Sequence, residues 1–227
     1  MAGVTTAFCT SAKAEMLSAG HCIMANATPS GQGVSAAFTL TNLSSVNGIA
    51  VGMTASGTNV ASGAIVASID SSTQVTVSKA HTGTVSAGTT LTFAGDVIKV
   101  ALYKAGASLT GTYDSTTTNY SQMGSDEVAN GGGYVTGGQA LTPVSAVTSG
   151  TTAYVNFSPN PQWTSATFTT SGCLIYNSSS RLGGASSSGS GRAIGNFSFS
   201  GDQTVSAGTF TVLMPSPGAG TAILRLQ

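Results

Sequence analysis

Charge is what this chain has least of. Only fourteen of its 227 residues are charged, seven basic and seven acidic, or 6% of the chain; an average soluble domain carries about 25%. The basic residues are scattered from Lys13 to Arg225 without a cluster, so no stripe exists for a nucleic-acid partner. Acidic residues adjoin only at Asp126-Glu127. Paired carboxyl groups do acid/base work at separations of about 5–9 Å, and sequence neighbours rarely converge, so this pair is expected in a solvated loop. Asp114 and Asp202 sit in turn-like contexts and read as Asx-turn formers.

Other absences narrow the field further. Although 41% of residues are hydrophobic, no apolar run reaches the roughly 18 residues that a membrane helix needs. The amino terminus shows no basic segment followed by an apolar one, so no secretory leader is expected. There are three cysteines, Cys9, Cys22 and Cys173, with no C-x-x-C. An odd number at such spacing argues against a disulfide framework or a zinc site, and for buried thiols in a reducing compartment. His21-Cys22 with Cys9 is the one combination that hints at a nucleophile or a metal. Adjacent residues on extended chain point to opposite sides, so a packing position at a helix exit is expected. His81, in the turn-like AHTG, is expected to be solvated. The glycine-rich GGGYVTGG (131–138) lacks the Gly-Lys-Ser/Thr of a phosphate loop and reads as a wide turn with glycines at positive φ. No cofactor, metal or catalytic residue is expected, and the chain is not expected to be an enzyme.

Hydroxyl groups and glycine are what the chain has in quantity: Ser, Thr and Gly account for 96 residues. One helix is expected, over 5–19, capped by Thr5 or Thr6 and stopped by Gly20. Phe8, Ala12 and Met16 fall at i, i+4 and i+8 and form its apolar stripe. After residue 33 the chain reads as strand and turn. Short runs rich in Thr, Val and Ile recur at 36–41, 49–54, 64–69, 73–78, 89–93 and 97–103. They continue at 151–157, 165–169, 173–176, 193–199, 209–214 and 221–226. Turn residues separate them at 8–12-residue spacing, the pattern of a sandwich or barrel. The fold class expected is all-β: an antiparallel β-sandwich or jelly-roll-like core with one short amino-terminal helix and an inserted small β-domain. Residues 1–26 form the helix and arm, 27–95 the insert, and 96–227 the core domain. The loops Asn130–Gly133 and Ser178–Gly191 are too rich in Gly and Ser to pack and should be mobile or ordered by a partner.

Five separated motifs then carry a resemblance. "DVIKVALYKAGASL", "EVANGGGYVTGGQALT", "WTSATFTTSGCLIYNSS", "AIGNFSFSGDQTVSAGTFTVLMP" and "AILRLQ" follow a helix of the type "FCTSAKAEMLSAGH". In that order they resemble a family of small virion structural proteins of tailed bacteriophages, over roughly residues 5–22 and 96–227. Residues 34–94 have no counterpart in shorter proteins of this kind and resemble a β-module of phage and bacterial surface proteins, here read as a projecting knob. Where the family pattern has an arginine after the WxxATF strand, this chain has Thr170-Ser171-Gly172.

The resemblance implies a non-enzymatic virion component. The reading it favours is a capsid decoration (cement) protein on the exterior of the phage head, assembled in the host cytoplasm. Its partner would be the major capsid protein, which it would clamp without covalent bonds. The alternative is a tail or fibre component contacting host-surface glycans; copy number per particle separates the two. A cell-surface or enzymatic β-domain is disfavoured because no carboxylate constellation exists. A chain with zero net charge tends to self-associate, and a homotrimer is expected because the decoration proteins it resembles sit at local threefold positions. The candidate interface residues are Phe8, Ala12 and Met16 of the helix, together with Trp163, the only tryptophan, and Tyr134. No nucleic acid or membrane partner is expected.

Overall fold

The computed structural model describes residues 2–18, 20–144, 146–179, 190–215 and 221–226. The protein is all-β with one short helix. Strands β1 (Gly3–Val4) and β2 (Ala7–Phe8) precede α1 (Thr10–Leu17). Then come β3 (Ser30–Gly33), β4 (Thr39–Leu40), β5 (Thr54–Ser56), β6 (Ala64–Ser71), β7 (Gln74–Val77), β8 (Val85–Thr90) and β9 (Thr92–Ala94). The remainder holds β10 (Ile98–Lys104), β11 (Thr112–Tyr113), β12 (Gln139–Leu141), β13 (Val147–Ser149), β14 (Thr152–Val155), β15 (Gln162–Asn177), β16 (Arg192–Thr211) and β17 (Leu224–Leu226). The chain divides into two compact units, Met1–His21 with Val97–Gln227, and Cys22–Asp96.

The larger unit is built on a five-stranded sheet in the order β12-β10-β15-β16-β2, antiparallel throughout. Strand β10 lies inside it and is buried on both faces: Val100, Ala101, Leu102 and Tyr103 are all fully buried. That two-sided burial is why the sequence there is continuously apolar instead of alternating. Ala101 and Tyr103 join Cys9, Ala12, Met123, Leu174 and Ala193 in one apolar cluster. A three-stranded sheet, β13-β14-β17, and the parallel pair β1-β11 complete the unit.

Two sequence expectations are corrected here. The helix begins at Thr10, five residues later than predicted. The Gly3 and Thr5 N–H groups donate to Gly111 and Tyr113 carbonyls, and Ala7-Phe8 pair with Gly195-Asn196. Strand pairing thus takes the chain that local propensity assigned to a helix, and Cys9, with no side-chain cap bond, becomes the N-cap. The runs at 165–169 and 173–176 are one 16-residue strand, and the run at 193–199 and the start of 209–214 fall in one 20-residue strand, the pair joined through register shifts such as that between Thr170 and Gly172.

The smaller unit carries a five-stranded antiparallel sheet, β4-β7-β6-β5-β9, and the pair β3-β8. Its strands alternate: Ala64 and Val66 of β6 and Val75 and Val77 of β7 are buried while Ile65 and Ala67 are exposed. They pack with Leu40, Leu43, Met53, Leu91 and Phe93, each such burial being worth about 1.5–3 kcal/mol. The run 49–54 was expected to be a strand. Only its last residue, Thr54, is in a strand; ahead of it the chain turns, with Gly48 and Gly52 at φ 78° and 89°, and Gly52 N–H donates to the Val66 carbonyl. His81, expected in solvent, is buried beside Gly33, its Nε2 on the Thr39 carbonyl at 3.0 Å.

The ends of this unit meet. Asp96 N–H donates to the Cys22 carbonyl at 2.8 Å, and Cys22 N–H donates to Asp96 Oδ2 at 2.8 Å. Residues 22–26, assigned by sequence to the arm, run with this unit: the Ala27 N–H that follows them donates to the Phe93 carbonyl. Replacing residues 23–95 by a short Gly/Ser linker should therefore leave a larger unit that unfolds cooperatively in denaturant; a variant with no cooperative transition would show that the smaller unit is required for folding.

Candidate functional site

The polar centre of the larger unit is the acidic pair, and it is buried. The predicted solvated loop at Asp126-Glu127 is a correction: their side chains point into separate hydrogen-bond cages. Asp126 sits at the end of a single 3-10 turn, Gly124–Asp126. It accepts from the Thr110 and Gly111 N–H groups at 2.9 and 2.8 Å and from the Tyr113 hydroxyl at 2.8 Å, and it pairs with Lys104 Nζ at 2.8 Å. Burial opposes ionisation of this carboxyl. The Lys104 ammonium, the two N–H groups and the tyrosine outweigh it and hold Asp126 well below the usual carboxylate range.

Glu127 is caged by tyrosines. It accepts from the Tyr134 hydroxyl at 2.6 Å, from Gly137 N–H at 2.7 Å and from the Tyr120 hydroxyl. Tyr134 in turn accepts from Leu102 N–H at 3.0 Å, so one buried ring ties β10 to the glycine-rich turn. Tyr176 stacks on Tyr120 at 4.5 Å and donates to the Gly137 carbonyl; burial and then the Glu127 charge push its hydroxyl up to about 12. The turn does need its glycines. A Cβ at Gly138 would lie 1.8 Å from the Val100 carbonyl oxygen, and φ is positive at Gly131, Gly132, Gly133, Gly137 and Gly138. Asn130–Gly133, expected to be mobile or ordered by a partner, is closed by reciprocal Gly131–Tyr134 backbone bonds of 2.9 Å. Of the Ser178–Gly191 loop, residues 180–189, Arg181 among them, lie outside the described residues.

The second polar centre is at the exit of α1. His21 Nε2 meets Glu15 Oε2 at 2.8 Å, and both side chains are buried. Asn177 Nδ2 meets His21 Nδ1 at 2.9 Å, and Asn177 Oδ1 accepts from Ser179 N–H at 2.9 Å. The Ser179 bond fixes the amide, so Nδ1 accepts and Nε2 carries the proton given to Glu15. Burial pushes the Glu15 carboxyl above its usual range, and the Arg192 guanidinium offsets part of this. The two thiols of this unit, Cys9 and Cys173, are both buried. Burial, with the charges of Asp114 and Glu15, pushes the Cys9 thiol up to about 12, and burial does the same to Cys173, so neither offers a thiolate near neutral pH. No group of three metal-ligating side chains occurs among the described residues.

The interface candidates are distributed unequally. Ala12, Trp163 and Tyr134 are buried within the chain's own core, so they present no surface to a partner. Trp163 packs with Tyr134 at 6.0 Å and Phe210 at 6.1 Å, and the half-buried Phe168 and Phe199 rings close on Phe210. Phe8 is not on the helix but in β2, half-buried, with Lys13 Nζ 5.9 Å from its ring centroid. It lines a groove of about 380 Å³ with Phe197 and Ile223. The buried face of α1 is Ala12 and Glu15, and Met16 is half-buried. Leu17, beside that stripe, is 88% exposed; Leu213, 76% exposed, and Val135, 67% exposed, are open elsewhere on this unit. Comparison with family models, with curated proteins and with solved structures finds no match to this chain.

The Asp126 cage has a pH signature. A carboxylate whose folded pKa is depressed adds stability that is present above its unfolded value, about 4, and is lost as pH falls below it. Asp126→Asn should lower stability by about 2–4 kcal/mol at pH 7 and flatten the loss on acidification below about pH 4. Urea titrations at pH 7 and pH 3 check both; an equal deficit at the two pH values would contradict the assignment.

Proposed function

We propose that the protein is a structural component of a tailed-phage virion, and that it decorates the outer surface of the head as a homotrimer, clamping the major capsid protein without covalent bonds. The observation that carries this reading is a coincidence of boundaries. The motifs that resemble the phage family fall on 5–22 and 96–227, and the larger compact unit is Met1–His21 with Val97–Gln227. The stretch without counterpart in shorter proteins of that type falls inside the smaller unit, Cys22–Asp96. A neutral, charge-poor chain with Leu17 and Leu213 open to solvent favours burial of surface against neighbours. Multivalent attachment through a trimer multiplies modest contacts, each face needing about 800 Å² per partner for a standard interface.

Mixing the purified chain with expanded heads that lack it, followed by sedimentation and quantification, tests the reading. Hundreds of copies per head are expected; binding to tails, at about 3–18 copies, would replace it with the fibre reading and its glycan contacts. Leu17 probes the interface without disturbing the core. Leu17→Asp should reduce head occupancy while changing stability by no more than about 0.5 kcal/mol. Phe8→Asp should lower both, because that ring also packs against the apolar cluster of this unit. Full occupancy by Leu17→Asp would remove α1 from the contact.

A further inference from the structure

Helix α1 and strand β16 pack together and bury two opposite charges that form no direct ion pair. Arg192 is fully buried, and its Nε, Nη1 and Nη2 have no hydrogen-bond partner among the described residues. Glu15 is equally buried; His21 holds Oε2, and Oε1 has no partner among the described residues. A guanidinium left without compensation in a low-dielectric core is too costly to persist. The Arg192 charge offsets part of the effect of burial on Glu15.

Charge counting selects what joins them. With His21 Nδ1 facing the Asn177 amide, the two buried groups with orphan atoms are one cation, Arg192, and one anion, Glu15. An added anion or cation would leave a net buried charge. A neutral molecule that accepts from the guanidinium and donates to Glu15 Oε1 satisfies both groups. Both side chains are sealed from solvent, so that molecule must be very small. We propose that ordered water bridges Arg192 to Glu15, making a solvent-linked ion pair that ties α1 to β16. Internal waters sit where two to four polar partners converge, and four orphan atoms are available here.

A crystal structure of the full chain, at a resolution that orders solvent, tests this directly. A solvent peak within about 3.2 Å of both the guanidinium and Glu15 Oε1 is expected. A direct Arg192–Glu15 contact, or a peak with the scattering of a halide or an oxyanion, would overturn it. A double-mutant cycle in denaturant gives a second reading. Arg192→Met should raise the unfolding equilibrium constant about tenfold or more, because it strands the Glu15 charge. Glu15→Gln should then stabilise the Arg192→Met background about tenfold more than it stabilises the wild type. If Arg192→Met does not fold, folding restored by adding Glu15→Gln supports the coupling. Additive effects, or a double variant no better than Arg192→Met alone, would sink it.

Discussion

The antiparallel ladder between β15 and β16 is the constraint on which the larger unit depends. It runs from Gln162↔Thr211 to Asn177↔Arg192, and the other parts attach along its length. Strand β10 pairs with its Asn177 half, and β2 pairs with Gly195-Asn196. The aromatic group of Trp163, Phe168 and Phe210 lies toward its other end. A one-residue slip would move every side chain to the opposite face, so register is strongly specified wherever a face is buried. Here the register is pinned by polar contacts on particular rungs. Asn196 Nδ2 donates to the Asp114 carbonyl and Thr117 Oγ1, and its Oδ1 accepts from the Tyr103 hydroxyl at 2.6 Å. Slipping by one residue would strand all three groups in the core.

Much of the strand content was legible because its cause is local. Val75 and Val77 alternate with Gln74 and Thr76 in β7, and the apolar run of β10 reports burial on both faces. The amino terminus was not legible, because what decides it is distant: Gly111, Tyr113 and Gly195 recruit residues 3–8 into sheets, and no window around Phe8 contains them. The unity of β15 was hidden by Thr170-Ser171-Gly172, which reads as punctuation but is paired through bulges. The carboxylate cages were misread for a compositional reason. Asp126-Glu127 looks solvated by the ordinary rule that acids face water. One signal could have reversed that reading: in a chain this poor in charge, two adjacent acids fall in a stretch that also holds Tyr113, Tyr120 and Tyr134, each with a hydroxyl to donate. The Glu15–His21 contact was similarly within reach, since the two lie six residues apart across a helix exit.

The fate of the acids bears on what kind of protein this is. All seven carboxylates accept hydrogen bonds that hold the fold. Asp96 accepts from Cys22 N–H, Asp202 from Gly106 N–H at 2.7 Å, and Asp114 from Thr116 at 2.8 Å, while the exposed Asp70 gathers Ser68, Gln74 and Thr76. Asp126 and Glu127 sit in the buried cages already described, and Glu15 meets His21 through one oxygen. A carboxylate gripped by two or three donors, as Asp70, Asp126 and Glu127 are, is held in place by the fold. The carboxylates therefore serve the fold as hydrogen-bond acceptors both in the core, as at Asp126 and Glu127, and on the surface, as at Asp70 and Asp202. Under the proposed role, those acceptors would fix the shape with which the protein meets its neighbours.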